Sequence, residues 1–234
     1  MAEPSREPER VRRMFGGIAR HYDLLNHLLS ANLDRRWRRT AARSVPAHGT
    51  ARVLDLCGGT GDMTLAVLRH APSATVVCCD FARPMLDVAG MKFRRRGVHE
   101  RCPIVEADGL RLPFHDGSFD AVTVAFGLRN LADAGAGLSE MRRVLETGGT
   151  LAVLEFSRPA GPVLSKLYRF YLHRVLSRIG DGATGGSAYG YLARTIADFP
   201  DPATLATRIR QAGFDDCKWK TMTAGIVAIH TAKR

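Results

Sequence analysis

Residues 51–62 read Ala-Arg-Val-Leu-Asp-Leu-Cys-Gly-Gly-Thr-Gly-Asp. This stretch decides the fold, because an apolar strand runs without a linker into a glycine turn and then into a helix. Gly58, Gly59 and Gly61 lack a Cβ atom, so the chain can turn sharply and leave main-chain atoms uncovered. The spacing does not fit the dinucleotide pattern G-x-G-x-x-G, because Thr64 stands where its third glycine is required. The pattern predicts a ligand-binding turn for a ligand other than a dinucleotide.

Acidic residues stand at or near the ends of the strands expected beside this turn. Asp55 lies within the first strand, Asp80 ends the apolar run 74–79, and Asp108 follows a third strand. The carboxyl ends of parallel strands meet at one edge of a sheet, so the turn and these acids are expected to converge there. S-adenosylmethionine suits such a site, with Asp80 accepting both ribose hydroxyls and Asp55 favouring the cationic amino acid end. For each residue taken alone, the alternative is an ordinary turn or a solvated or capping aspartate.

The composition is that of a single soluble α/β domain. The chain has 234 residues, of which 45% are hydrophobic and 24% are charged, enough for one buried core with a helical extension. No apolar run approaches the roughly 20 residues of a membrane span, and the polar start 1–10 does not resemble a signal peptide. Five cysteines without paired C-x-x-C spacing favour a reducing cytoplasm, and they argue against disulfides and a zinc site. No metal is expected.

A formal net charge of +11 is the outlier in the composition. Arginines cluster at 10–13, 35–39 and 94–96. Such clusters attract nucleic acid or an anionic membrane, and they are equally typical of solvated helix faces. Few aromatic residues interleave with the basic runs, so a base-stacking surface is not favoured.

The hydrophobic pattern divides the chain into a helical arm, 1–44, and a sheet domain, 45–234. In the arm, apolar residues recur at steps of three and four, which predicts helix over 9–44. Strands are then expected at about 51–57, 74–80, 103–107, 119–126 and 149–156. Helices are expected between them at about 61–70, 83–97 and 135–146. This alternation predicts a Rossmann-like, doubly wound and mostly parallel sheet.

The pattern changes downstream of Ser157. The segment 163–187 contains an amphipathic aromatic stretch and then a glycine-rich loop. A helix at about 201–212 precedes two strand-like runs, 214–221 and 225–231. The short turn between these runs indicates a hairpin, so the seven-stranded sheet should end in an antiparallel strand.

Three motifs resemble the ubiquinone/menaquinone biosynthesis C-methyltransferase family. Tyr22-Asp-Leu-Leu-Asn26 followed by Ser30 and Trp37 is similar to the family's Y-D-x-M-N…S…W run. Residues 143–157 are similar to R-V-L-K-P-G-G…E-F-S, with Glu146-Thr147 in place of Lys-Pro. Phe126-Gly-Leu-Arg-Asn130, at the end of the fourth strand, is the most specific match. The resemblance runs nearly end to end, and it implies a class I methyltransferase fold and S-adenosylmethionine-dependent methylation of a ring carbon of a polyprenylated hydroquinone.

The resemblance also implies which residues bind S-adenosylmethionine. They are Thr60 in the glycine turn, Asp80, and Asp108 with Gly109. The pattern of strands, glycines and acids described above indicates the same turn, together with Asp80 and Asp108. Family members usually have a serine beside the cofactor where this chain has Ala125, so a contact there is expected from the backbone alone.

Methylation at carbon requires the hydroquinone to lose a phenolic proton, since a phenolate pushes electron density into the ring. The protein must then stabilise an oxyanion and align carbon, methyl and sulfur. By resemblance, Tyr22, Arg129 and Asn130 are the candidates for the substrate site. Arg129 is a permanent cation with a rigid donor fork, and its alternative role is a structural salt bridge. The alternative for Tyr22 is a core tyrosine, and the neighbouring His21 is either a general base or a surface histidine.

Several functional alternatives stay open. Demethylmenaquinol is the expected substrate, and 2-methoxy-6-polyprenyl-1,4-benzoquinol is the alternative. A nucleic-acid methyltransferase is disfavoured, because 126–130 replaces the Asn/Asp-Pro-Pro-aromatic loop that holds a flipped base. Intact glycines and acids disfavour a non-catalytic RNA- or membrane-associated protein. We expect a cytoplasmic enzyme that contacts the anionic inner face of the membrane through the arm and has no nucleic acid partner, with a homo-oligomer as an open alternative.

Overall fold

A computed structural model describes residues 8–19, 21–46, 49–157 and 187–234, together with 159, 161 and 166. Its strands are β1 (Arg52–Leu56), β2 (Thr75–Asp80), β3 (Ile104–Glu106), β4 (Phe119–Ala125), β5 (Leu145–Phe156), β6 (Asp215–Met222) and β7 (Val227–Lys233). They form one sheet of order β3-β2-β1-β4-β5-β7-β6. Strands β1 to β5 pair in parallel, and β7 is antiparallel to β5 and β6. The predicted mostly parallel sheet with a terminal hairpin is confirmed.

Helices cover both faces of this sheet. They are α1 (Pro8–Ile18), α2 (Tyr22–Leu29), α3 (Leu33–Ala42), α4 (Asp62–His70), α5 (Arg83–Arg95), α6 (Ala134–Val144), α7 (Ser187–Asp198) and α8 (Pro202–Gln211). Alternate residues of β1 point to opposite faces. Val53 is in a buried cluster with residues of α3, α4 and α5, and Leu54 is in another with residues of α6 and α8. A strand buried on both faces explains the nearly continuous apolar run in the sequence.

The arm differs from the single helix predicted over 9–44. Ala31 and Asn32 adopt left-handed backbone conformations, with φ of 49° and 61°, and they separate α2 from α3. The apolar periodicity continues across this break, so it did not reveal it. The arm is packed into the domain: α1 contacts α5 and α7, and α3 packs against α4. Trp37 of α3 is buried, and its Nε1 donates to Thr223 Oγ1 at 2.8 Å.

Other boundaries moved by a few residues. Strand β5 begins at Leu145 rather than at 149, because Leu145 already pairs with Phe119 of β4. The pairing then shifts register across a stretch with a left-handed Gly148 (φ 79°) and resumes between Thr150 and Ala121. Most of the segment 163–187, with its predicted amphipathic stretch and loop, lies outside the described residues. In the part of the chain that is described, no helix has both the length and the apolarity that crossing a bilayer requires.

Candidate active site

A cleft opens where β1 and β4 end, between the glycine turn and the arm. Its empty volume is about 290 Å³, which includes space open to solvent. The arm, the glycine turn with the start of α4, and the end of β4 contribute its lining: Tyr22, Arg38, Cys57, Gly58, Gly59, Thr60, Asp62, Met63 and Ala125. The predicted turn and Ala125 therefore come together with Tyr22, as expected for the carboxyl edge of a parallel sheet.

The turn needs glycine for two reasons: the backbone conformation at some positions and the lack of space for a side chain at others. Gly59 and Gly61 are left-handed, with φ of 54° and 83°. A Cβ atom on Gly61 would lie 2.5 Å from the ring of Phe93, and one on Gly58 would lie 2.7 Å from Cys78 Sγ. Gly61 therefore serves the packing of α4 and α5, whereas Gly58 and Gly59 present main chain to the cleft.

Two non-glycine residues at this edge have left-handed backbone. Cys57 follows β1 with φ of 54°, and Phe126 follows β4 with φ of 62°. Such conformations cost about 1–3 kcal/mol each for ordinary side chains, and they cluster at functional sites. Gly127 accommodates this geometry, because a Cβ atom on it would lie only 2.3 Å from Cys57 Cβ. The strained backbone supports a functional role for the ends of β1 and β4.

Asp80 lies beside the turn, as its position in the sequence predicted. Its side chain is nearly buried, Oδ2 accepts from Gly59 N and Oδ1 accepts from Ala82 N, both at 2.9 Å. Burial raises the pKa of Asp80 to about 6, although these backbone N–H groups favour the ionised form. A carboxylate has about four acceptor positions, so Asp80 can bind ribose hydroxyls while it keeps its contacts to the turn. This geometry fits the nucleoside part of S-adenosylmethionine.

Asp55 is not among the residues that line the cleft, and its expected contact with the amino acid end of the cofactor stays a prediction. It is fully buried, and its two oxygens accept from Thr64 Oγ1 at 2.7 Å and from Thr123 Oγ1 at 2.9 Å. Strand alternation turns this side chain toward α4, beneath the glycine turn. Burial raises the pKa of Asp55 to about 6. Asp55 therefore connects α4 and β4 under the turn.

Asp108 and Gly109 also lie outside the cleft. Asp108 is exposed after β3, where its Oδ1 accepts from Leu110 N at 2.9 Å. Gly109 is buried, and a Cβ atom on it would lie 3.0 Å from Leu131 Cδ2. Their predicted cofactor contact stays a prediction, and the structure assigns them a turn and a packing position.

Arg129 is held in a short turn of 3-10 helix (Leu128–Asn130) after β4. Only 4% of the residue is exposed, and Nη1 donates to Glu155 Oε2 and to Phe126 O, both at 2.7 Å. The salt bridge considered as an alternative is therefore present. However, Arg129 Nε and Asn130 Oδ1 are buried without a hydrogen-bond partner among the described residues. Such atoms are expected to bind water or a ligand.

Tyr22, at the start of α2, lines the cleft close to Arg129. Burial raises the pKa of Tyr22, and the charges of Arg129 and Arg38 partly oppose this rise. The hydroxyl therefore stays protonated at neutral pH and can donate a hydrogen bond. His21 is exposed immediately before α2, which favours the surface histidine over the general base.

An ion-pair network that sequence reasoning missed ties the arm to the glycine turn. Thr60 Oγ1 donates to Asp23 Oδ1 at 2.5 Å. Lys92 Nζ, from α5, lies 2.5 Å from Asp23 Oδ2 and 2.7 Å from Asp62 Oδ1. Asp23 belongs to the Tyr22–Asn26 motif, whereas nothing near Lys92 in the sequence marks it. The Thr60 hydroxyl, expected to meet the cofactor, thus also holds the arm.

The same region contains three groups of the metal-ligand type. His27, Asp34 and Asp62 place one ligand atom each within 4.8 Å of one another. Asp34 accepts from Arg38 at 2.7 Å, and Asp62 is paired with Lys92. Because these cations already neutralise the carboxylates, the geometry favours an ion-pair network over a metal site.

The sheet order, the glycine turn and the acid at the end of β2 define a class I S-adenosylmethionine-dependent methyltransferase. The chain belongs to the ubiE/COQ5 methyltransferase family, which matches residues 4–234. It is 41% identical over 231 residues to the ubiquinone/menaquinone biosynthesis C-methyltransferase UbiE of Geobacter sp. (strain M21), covering 98% of each chain. It is 46% identical over 222 residues to the demethylmenaquinone methyltransferase of Thermus thermophilus, covering 94% of this chain and all of that one.

Solved structures agree on the fold. A SAM-dependent methyltransferase from Aquifex aeolicus superposes with a TM-score of 0.60 at 15% identity, over 83% of this chain and 88% of that one. At this level of identity the likeness concerns the fold alone. The family resemblance identified from the sequence motifs is confirmed by the relatives and by the family match.

Proposed function

We propose that this protein transfers the methyl group of S-adenosylmethionine to a ring carbon of a polyprenylated hydroquinone, and that its substrate is demethylmenaquinol. The convergence of Tyr22 and the buried Arg129 beside the glycine turn carries this proposal. A protonated hydroxyl and a guanidinium are the groups that a phenolate oxygen requires near the methyl donor.

The cofactor, when bound, supplies an electrophilic methyl group on a sulfonium. The main chain of Gly58 and Gly59 would hold its centre, and Asp80 would hold its ribose. Ala125 lines the cleft in place of the serine usual in the family, which leaves its backbone for that contact. A single neutral hydrogen bond contributes about 1 kcal/mol, so we expect the enzyme to be active without it.

The substrate side depends on Arg129 and Tyr22. Glu155 and Phe126 hold one edge of the Arg129 guanidinium, and Phe156 packs at 5.1 Å from its carbon atom. This leaves the buried Nε free to donate to a substrate oxygen, or to a water that relays the phenolic proton to solvent, and its positive charge would stabilise the phenolate that remains. Tyr22 would donate a second hydrogen bond to that oxygen. Asn130 would accept from the same water through Oδ1.

The relatives that are named for a single ring favour the naphthoquinol, whereas the UbiE relatives are named for both quinones. Those from Thermus thermophilus, Deinococcus radiodurans and Mycolicibacterium gilvum are named demethylmenaquinone methyltransferases, at 42–46% identity over at least 94% of this chain. We infer the same substrate for this chain on that similarity.

A direct comparison of the two rings tests the substrate. The purified protein is incubated with S-adenosylmethionine and with either demethylmenaquinol or the demethyl benzoquinol, both carrying the same short prenyl chain. Products are separated and identified by mass. We expect the methylated naphthoquinol to form much faster. Preference for the benzoquinol would assign the protein to ubiquinone biosynthesis, and methylation of RNA instead of either quinol would contradict the proposal.

We also propose that the arm contacts an anionic membrane, from which a long-tailed quinol must be collected. The apolar stripe of α1 is not available for this, because Val11 and Ile18 are buried against the domain. Leu24 and Leu28 instead lie one turn apart on α2, and 66% and 64% of each is exposed. The exposed arginines of α3 follow them along the chain: Arg35, Arg36 and Arg39.

Vesicle binding tests this surface. Wild type should bind anionic vesicles reversibly and in a salt-sensitive manner, because each basic residue near the surface contributes about 1 kcal/mol. The variant Leu24→Ser with Leu28→Ser should bind more weakly and lose activity mainly on long-tailed substrate. Equal binding of wild type to neutral and anionic vesicles, or an equal loss on short-tailed substrate, would contradict this role. The double variant is preferable to deleting residues 1–20, because α1 is part of the buried core.

A further inference from the structure

Arg38 of α3 is a buried cation that the sequence motifs did not single out. It is 8% exposed, and it is the only lysine or arginine among the described residues that line the cleft. Its Nη1 donates to Asp34 Oδ2 at 2.7 Å, and its guanidinium carbon lies 5.2 Å from the centre of the Phe126 ring. Within the described residues, Nε and Nη2 have no hydrogen-bond partner. One edge of the Arg38 guanidinium is therefore held by Asp34, and the edge formed by Nε and Nη2 is available to a ligand.

The charge of Arg38 acts on the groups around the glycine turn. Burial raises the pKa of Tyr22, and Arg38 opposes that rise together with Arg129. Burial alone would raise the pKa of Asp62, but Lys92 and Arg38 reverse the effect, so this pKa is lowered. The Tyr22 phenol and the Asp62 carboxyl both belong to residues that line the cleft. The positive charge is thus directed at the cleft, with Asp34 neutralising only one edge of it.

Resting on the proposed function, we propose that Arg38 binds the α-carboxylate of the amino acid end of S-adenosylmethionine. Nε and Nη2 lie on one edge of a guanidinium and form parallel hydrogen bonds with the two oxygens of a carboxylate. Asp80 would hold the nucleoside at the end of β2, where Gly59 N donates to it, and Gly58 and Gly59 line the cleft together with Arg38. An extended cofactor that spans this turn presents its carboxylate to Arg38.

Paired ligands test the assignment by calorimetry. S-adenosylhomocysteine has the carboxylate, and its decarboxylated analogue lacks only that group. Wild type should prefer S-adenosylhomocysteine by roughly ten- to one-hundredfold, as expected for a charge-assisted pair. Arg38→Met should lose most of this preference while binding the analogue nearly as well as wild type does. Arg43→Met, which removes an exposed arginine at the end of the same helix, is the matched control and should keep the preference.

Each result separates this inference from the proposed function. Failure of wild type to bind S-adenosylhomocysteine would contradict the proposed function itself. Binding without preference for the carboxylate, or an unchanged preference in Arg38→Met, would overturn the role of Arg38 alone. Circular dichroism checks the fold of each variant. If Arg38→Met does not fold, Arg38→Lys replaces it: its single ammonium should reduce the preference severalfold, and an undiminished preference there would overturn the inference.

Discussion

Replacing Asp55 by asparagine is expected to stabilise the protein at neutral pH. Burial raises the pKa of Asp55 from 3.8 to about 6. A folded-state pKa above the unfolded value means that the protonated form favours folding, and this advantage is lost as the pH rises from about 4 through 6. A shift of about two pKa units corresponds to about 3 kcal/mol of unfolding free energy at pH 7. The wild-type protein loses this unfolding free energy when Asp55 ionises, whereas the variant with the neutral asparagine does not.

The two threonine hydroxyls around Asp55 can also form hydrogen bonds with an asparagine side chain at this position. Thr64 and Thr123 both donate to the carboxylate. With asparagine, one hydroxyl still donates to Oδ1, and the other can rotate to accept from Nδ2. The lost charge-assisted hydrogen bond reduces the gain, so we expect Asp55→Asn to be more stable by about 1–2 kcal/mol at pH 7.5. At pH 4.5 the gain should fall by about 2 kcal/mol, to zero or below.

Urea unfolding of wild type and variant at pH 4.5, 6.0 and 7.5 measures this difference. Subtracting the two curves cancels the titration of Asp80 and of other acids. Asp215→Asn, in which an exposed carboxylate is replaced, is the matched control and should leave the unfolding free energy nearly unchanged. A stability difference that is constant with pH, or that falls as the pH rises, would refute the explanation by burial. A large loss of cofactor affinity in Asp55→Asn would show that Asp55 contacts the cofactor after all.

Three further substitutions test the site. Asp80→Ala should weaken S-adenosylhomocysteine binding at least roughly tenfold by calorimetry, because a charged acceptor for the ribose is lost; unchanged affinity would remove its cofactor role. Arg129→Lys should lower turnover roughly ten- to one-hundredfold at unchanged cofactor affinity, since one ammonium cannot contact Glu155, Phe126 O and the substrate in the geometry of a guanidinium; near wild-type turnover would restrict Arg129 to its salt bridge. Lys92→Met removes the cation between Asp23 and Asp62, so hydrogen exchange in α2 should become faster; unchanged exchange would show that the pair does not hold the arm.

Features that depend on neighbouring residues were predictable from the sequence. The strands, the glycine turn and Asp80 at the end of β2 follow from local periodicity and from the way parallel strands align their ends. The motif resemblance identified Tyr22, and the structure places it in the cleft. The start of β5 was predicted four residues late, because the pairing with β4 shifts register between Leu145 and Thr150.

Features that depend on tertiary partners were not predictable. Asp55 occupies a strand end, as a ligand-binding acid would, but Thr123, 68 residues away, takes one of its oxygens. The break between α2 and α3 rests on left-handed conformations of Ala31 and Asn32, for which no glycine gives a signal. Arg38 lies in a basic run whose other members are mostly exposed. Only the packing of α3 on α4 shows that this arginine faces the cleft.

The position of the transferred methyl group tests the central proposal most directly. The purified protein is incubated with S-adenosylmethionine labelled with ¹³C at the methyl group and with short-chain demethylmenaquinol, and the product is examined by NMR. We expect the label in a methyl group bonded to a ring carbon, with much less product from Asp80→Ala when the cofactor is limiting. A label in a methoxy group, or no labelled quinol at all from protein that binds the cofactor, would contradict methylation at carbon.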